Sequence, residues 1–306
     1  MWCRRGCSTR APPWGTTSRV IDAHHHLWDP DVGDYPWMTG DFAALRRRYD
    51  VEDLRPHLVA NGVAATIVVQ VRADLAETVD LLELASRTAE VVGVVGWVDL
   101  TSSDVAGQID LLRSGVGGEH LVGVRHAAAD EPDPDWLLRD DVDAGMRLVA
   151  ASGLSFDLEI TARELPAAGV LVRRHAGVRF VVDHGAKPPV ATGWSQGWAD
   201  GIAALAANAN VWCKLSGLVT EASWSSWTVA DLRPYVDHLL AAFGAERLIF
   251  GSDWPVCELA ASYGQVTAAA TETLAEIDPD DRHKIMYGNA LHVYRPPGIG
   301  PKEDRS

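Results

Sequence analysis

Two histidines one residue apart, His24 and His26, are the first pair in this chain whose spacing could do chemistry. On a strand both imidazoles point to one face and can grip a divalent ion together, while His25 points the other way, toward whatever layer covers the sheet. A carboxylate, Asp253, closes the apolar run Leu248–Ile249–Phe250–Gly251–Ser252. At the mouth of a site it would complete a metal set with His24 and His26, and it could take a proton from an attacking water. Ser252 and Asp253 would serve equally well as a helix N-cap. His184 follows Val181–Val182–Asp183 and suits three roles: metal ligand, substrate donor or proton carrier. A lone strand histidine is usually structural. His-x-His with a further His and an Asp at later strand ends is a different matter.

Other polar groups end similar runs. Arg125 and His126 are adjacent, so only one can face a barrel axis unless the other sits in a loop. The planar fork of Arg125 could hold a carbonyl or carboxylate, or pair with a buried acid. Lys214 has the same two readings, substrate contact or ion pair across the sheet. Asp157 and Glu159 share a face, whereas Asp183 alternates to the face opposite His184 and reads as structural.

Eight short β-branched runs must position these groups: Val20–His26, Ala64–Gln70, Val91–Asp99, Leu121–His126, Ser155–Ile160, Arg179–His184, Val211–Gly217 and Arg247–Asp253. Helical periodicity appears over Leu75–Ala89, Asp135–Ser152, Trp198–Ala207, Asp231–Phe243 and Tyr263–Ile277. Strand–helix alternation implies a parallel sheet sheathed in helices, and eight units in about 275 residues predict a single-domain α/β fold, the (β/α)8 TIM barrel. An open doubly wound sheet would want a Gly-rich phosphate turn after its first strand, and there is none. The polar residues crowd the C-terminal strand ends, where barrel chemistry resides.

The 306 residues carry 27 Lys plus Arg against 42 Asp plus Glu, a net charge of −15, which excludes a nucleic-acid role. No apolar stretch approaches the ~20 residues of a membrane span, and the basic first residues lack a secretory apolar core. A soluble, cytoplasmic protein is expected, with residues 1–19 a disordered tail, 20–295 the barrel and 296–306 a second tail. Cys3 and Cys7 lie in the first tail, and Cys213 and Cys257 read as buried free thiols. Of 12 tryptophans, Trp28, Trp37, Trp224, Trp227 and Trp254 fall in strand-to-helix loops, where a ligand could stack; Trp97, Trp136 and Trp212 read as core.

The segments Ile21–Asp29 (IDAHHHLWD), Gly123–His126 (GVRH), Val182–Pro188 (VDHGAKP), Cys213–Ala222 (CKLSGLVTEA) and Phe250–Cys257 (FGSDWPVC), with Gly288, Asn289, Ala290 and Tyr294, resemble the amidohydrolase superfamily, amidohydrolase-2 type. Within it they are most similar to the sugar-lactone hydrolases typified by L-fuconolactonase. The resemblance covers about Val20 to Tyr294. It implies a mouth site built from His24, His26, His184 and Asp253. The bridging lysine of binuclear members is replaced by Arg125–His126, and a fifth-strand metal histidine is missing from Phe156–Ile160, so at most one divalent metal is implied, Zn2+ foremost. It further implies water attack on an aldonolactone, a small-molecule sugar lactone like L-fucono-1,5-lactone, with Asp253, His184, Arg125 and His126 catalytic and Trp28, Lys214, Glu221 and Trp254 holding the ring. A homo-oligomer is compatible with the resemblance. The alternative on the same barrel is a metal-dependent decarboxylase of an unsaturated carboxylic acid.

Overall fold

The computed structural model describes residues 19–299, so that residues 1–18 and 300–306 of the two expected tails lie outside the described residues, as do Cys3 and Cys7. Eight strands alternate with helices: β1 (Val20–His25), α1 (Val51–Asn61), β2 (Val63–Val69), α2 (Leu75–Arg87), β3 (Val91–Gly96), α3 (Val105–Ser114), β4 (Leu121–Ala127), α4 (Asp140–Ser152), β5 (Ser155–Glu159), α5 (Leu165–Arg174), β6 (Phe180–Val182), α6 (Gln196–Ala206), β7 (Val211–Leu215), α7 (Val229–Phe243), β8 (Leu248–Phe250) and α8 (Tyr263–Thr273). The strands pair in parallel in the order β1 to β8, the (β/α)8 arrangement that the alternation predicts. Closure of β8 onto β1 falls at the mouth: Asp253 N donates to His24 O at 2.8 Å and His26 N to Trp254 O at 2.7 Å.

The strands are β-branched because both faces are buried. Ile21, Ala23, Ile67, Val69, Val95, Val181 and Ile249 fill the barrel interior, and the larger core lies between sheet and helices. Two C-terminal helices, α9 (Pro279–His283) and α10 (Asn289–Tyr294), follow α8, and Ala290, Leu291, Val293 and Tyr294 join the interior cluster. Cys213 and Cys257 are buried free thiols, as expected. Among the described residues no helix is long and apolar enough to cross a membrane.

Helices α1, α3 and α5 were not apparent from periodicity. In α1, Pro56 interrupts the reading, while Asp50 and Asp53 form a reciprocal capping box that fixes its start. Two strands stop early. β6 ends at Val182 and β8 at Phe250, because His184 and Asp253 adopt left-handed conformations, φ 52° and 58°. Those two turns build the site.

Candidate active site

His24 and His26 project from β1 toward the axis, and His25 projects outward, where its Nε2 meets Thr66 Oγ1 at 3.0 Å. Burial, helped by the neighbouring His26, pushes His25 down to about 3, so it is neutral. Nδ1 of His26 donates to Val69 O at 2.8 Å, which leaves its Nε2 as a lone pair facing inward. Nε2 of His24 lies 3.1 Å from that atom. His184 Nδ1 bonds Ser216 Oγ at 2.8 Å and turns its Nε2 toward Asp253 Oδ1, 3.8 Å away. The same oxygen is 3.8 Å from His24 Nε2 and 3.6 Å from His26 Nε2. Three imidazoles and a carboxylate thus converge on one point. Ligand atoms of a tetrahedral zinc site with bonds of ~2.0–2.1 Å stand roughly 3.4 Å apart.

Burial keeps the imidazoles of His24 and His184 in their ligand form. His24 is pushed well below its ordinary value by burial and by the Lys214 ammonium, with Asp183 only partly opposing. His184 is lowered by burial against the pull of Asp253 and Asp183. Donor chemistry, spacing and protonation therefore fit one divalent ion. Through Nε2, His24 would bind as the tautomer with its proton on Nδ1, and Asp183 Oδ1 stands 3.3 Å from Nδ1.

The surroundings fix this geometry. Gly217 (φ 65°) leaves room for the His184 ring: a Cβ there would lie 2.5 Å from Nδ1. A Cβ on Gly251 would lie 2.6 Å from that of His24. Asp22, wholly buried on β1, accepts from Ser252 N (2.8 Å), Ser252 Oγ (2.6 Å) and Tyr263 Oη (2.9 Å), and Ser252 Oγ accepts from Trp254 N (3.0 Å). This clamp holds both sides of the left-handed residue Asp253.

Above the cluster opens a cavity of about 280 Å³. Because the strands run in order around the barrel, the loops after β8, β1 and β2 face those after β4, β5 and β6. The first arc contributes Trp28, Trp37, Phe42, Val71 and Val256; the second contributes Arg125, Asp130, Glu159 and Lys187, with Glu221 from the loop after β7. One side is apolar and aromatic, the other charged. Arg125 Nη1 contacts Glu159 at 3.1 Å and Asp183 at 3.2 Å, and Lys187 Nζ contacts Glu159 at 3.0 Å. Burial would raise Glu159, but Arg125 and Lys187 outweigh it and hold the group at about 2. Glu221 is raised by burial, with Lys187 opposing.

The structure gathers His24, His26, His184 and Asp253 and puts Arg125, Trp28 and Glu221 on the cavity wall. It places three expected residues elsewhere. His126, adjacent to the inward Arg125, faces outward: its ring stacks on Trp136 at 3.9 Å, Nε2 meets Glu131 at 2.8 Å, and Nδ1 accepts from Trp97 at 3.3 Å. Trp254 is fully buried beyond the turn at Asp253, with Nε1 donating to Glu258. Lys214 is also fully buried, paired to Asp157 at 2.5 Å and Asp183 at 3.0 Å beneath the cavity. Asp183 is the converse correction: read as opposite in face to His184 and structural, it follows Val181 inward and touches His24, Arg125 and Lys214, while the left-handed turn at His184 brings that residue to the site as well. Sequence reasoning also passed over Asp22, Lys187, Asp130 and Phe42 as site residues. Alternation would have misplaced Asp22: a register irregularity between Asp22 and His25 turns it outward, against Tyr263 on α8, while His24 and His26 face the axis.

A sequence profile described as amidohydrolase matches residues 21–295. An L-fucono-1,5-lactonase of Burkholderia ambifaria is 40% identical over 90% of this chain and 95% of its own length. An L-fucono-1,5-lactonase of Burkholderia multivorans is 38% identical over 90% and 96%. A solved amidohydrolase from Burkholderia multivorans with bound zinc superposes with a TM-score of 0.87 at 35% identity, covering 92% of this chain and all of that one. On this match over nearly its whole described length, the chain belongs to the amidohydrolase family.

Proposed function

We propose that the chain hydrolyses a sugar-acid lactone, an aldonolactone like L-fucono-1,5-lactone, to the open hydroxy acid. The observation that carries this reading is the convergence of three imidazoles on Asp253 Oδ1 at the floor of a small cavity, half aromatic and half charged. About 280 Å³ is near the lower end of small-molecule sites and suits one sugar ring rather than a chain of them. The relatives at 38–40% identity, both named L-fucono-1,5-lactonases, support the substrate class, and the decarboxylase alternative has less support.

His24, His26 and His184 with Asp253 Oδ1 would hold one divalent ion, Zn2+ first for a donor set rich in imidazole, which when bound would supply positive charge to polarise the lactone carbonyl and acidify water. Asp253 accepts the proton of the attacking water through its second oxygen. Arg125 lines the cavity and brings a fixed positive charge to the developing oxyanion. The ester C–O bond breaks, and Asp253 returns its proton to the departing ring oxygen. Trp28, Trp37 and Phe42 offer faces for the carbon skeleton, while Lys187, Glu159 and Glu221 bond hydroxyls.

A pH-indicator assay over L-fucono-, D-arabinono-, L-rhamnono- and galactono-lactones, with metal content measured on the same preparation, tests the reading. Acid release from at least one lactone, lost on Asp253→Asn and on removal of the metal with a chelator, is expected. Release of CO2 from unsaturated carboxylic acids in place of lactone opening would decide for the decarboxylase, and a His24→Ala protein of full activity would refute the site.

A further inference from the structure

Beneath the cavity lies a second knot of charge. Lys214 Nζ, on β7 and wholly buried, stands 2.5 Å from Asp157 Oδ2, 3.0 Å from Asp183 Oδ1 and 3.0 Å from His24 Nδ1. An ammonium has three protons; the two carboxylates accept from it, and His24 Nδ1 stands beside it carrying the proton that leaves Nε2 free for an ion. Acceptors are nonetheless in excess here: Asp157 Oδ1 and Asp183 Oδ1, both buried, have no hydrogen-bond donor of good geometry, and Asp157 Oδ2 takes a further bond from Tyr294 Oη at 2.8 Å. Asp183 also lies within ligand spacing, 4.8 Å, of His24 and His184, the two imidazoles it shares with the upper cluster. Buried carboxylates are ordinary ligands for a divalent ion. Lys214 Nζ sits among them.

We propose that Lys214 is the built-in second cation of this barrel: its ammonium occupies the place between Asp157 and Asp183, beside the outer nitrogen of His24, that a second divalent ion would otherwise take, and so limits the site to one metal. Buried carboxylates need a counter-charge, and the chain supplies it covalently. A lysine there cannot be lost to a chelator and brings no open coordination position, so the lower knot stays inert while chemistry is confined to the cluster above. This rests on the reading of His24, His26, His184 and Asp253 as a metal site, but not on any substrate.

The test counts metal without substrate. The native chain and a Lys214→Ala variant are loaded with Zn2+ or Co2+, dialysed, and analysed for metal per chain, with the Co2+ visible bands reporting coordination. One ion per native chain and two per Lys214→Ala chain are expected, and adding Asp157→Ala should return the count to one. If metal-free Lys214→Ala is unfolded, Zn2+ or Co2+ should restore its thermal transition, since the ion replaces the missing charge. Two ions in the native chain would overturn the proposal. So would a folded Lys214→Ala chain that takes no more metal than the native one, or a variant that excess ion fails to refold. A native chain that takes none beside a variant that takes one would refute the upper metal site and leave the role of Lys214 standing.

Discussion

Gly217→Ala probes how tightly the site is built. The new methyl would lie 2.5 Å from His184 Nδ1, 2.7 Å from its Cγ and 3.0 Å from its Cβ, all inside ordinary contact distance. The imidazole must retreat by about 0.9 Å to reach van der Waals separation, and the 2.8 Å bond to Ser216 cannot survive that unchanged. A misplacement of ~1 Å in a catalytic constellation costs on the order of 100-fold in rate. The left-handed φ of 65° adds roughly 1–2 kcal/mol for any residue with a Cβ, or a few degrees in Tm for a chain of this size. Gly153→Ala is the control: its φ is 74°, and nothing lies within 4 Å of its would-be Cβ. Both variants carry the left-handed cost, Gly217→Ala should lose further stability through the clash with His184, and it alone should lose kcat, by on the order of 100-fold in the lactone assay. Equal turnover in the two folded variants would refute the claim that His184 works from a fixed position.

Other substitutions separate roles. Glu159 sits at about 2 when folded against an ordinary 4.5, so the native state binds fewer protons there than the unfolded chain; its contribution is complete above pH ~5 and fades as pH falls toward 2. The stability lead of the native chain over Glu159→Gln, at most about 3 kcal/mol at pH 7, should therefore narrow in urea titrations taken from pH 5 down to 3. Arg125→Met leaves Asp183 and Glu159 short of a partner and should cost about 3–5 kcal/mol together with most of the turnover. His126→Ala should instead lower Tm through its lost stack on Trp136, by about 1–3 kcal/mol, and keep kcat within about threefold, because its ring lies outside the cavity. Asp22→Asn should cost about 1–3 kcal/mol by turning an amide toward buried donors, and should slow turnover by loosening Asp253, which a kcat decrease at unchanged KM would reveal.

The barrel was legible because strands buried on both faces read as β-branched runs, with their polar residues held back to one end. Alternation told which face a strand residue takes, and it oriented His24, His25 and His26 correctly. It could not tell depth. Asp157 and Glu159 share a face, yet Glu159 reaches the cavity while Asp157, one layer lower, meets Lys214; the lysine looked like a ring-binding residue for the same reason. Nor could it follow the chain past a strand end. Once His184 and Asp253 turn left-handed, His184 joins Asp183 on the inner side and Trp254 packs outside the cavity, reversing both expectations.

Those two turns also explain why the chemistry sits where the sheet is weakest. β6 and β8 are the shortest strands, three residues each, and each is followed within three residues by a left-handed site residue. A histidine or aspartate holds that conformation at a cost, so neighbouring groups must over-determine it. For Asp253 the Asp22 clamp and the bond from its own N–H to His24 O do so. The second of these is also one of the contacts that close the barrel. Closure, the position of the proton acceptor and the spacing of the His24–His26 pair are therefore one structural feature. A substitution that frays the β8–β1 seam should then lower activity at temperatures well below global unfolding. Substitutions in the helical sheath should lower Tm and leave the rate at 25 °C intact.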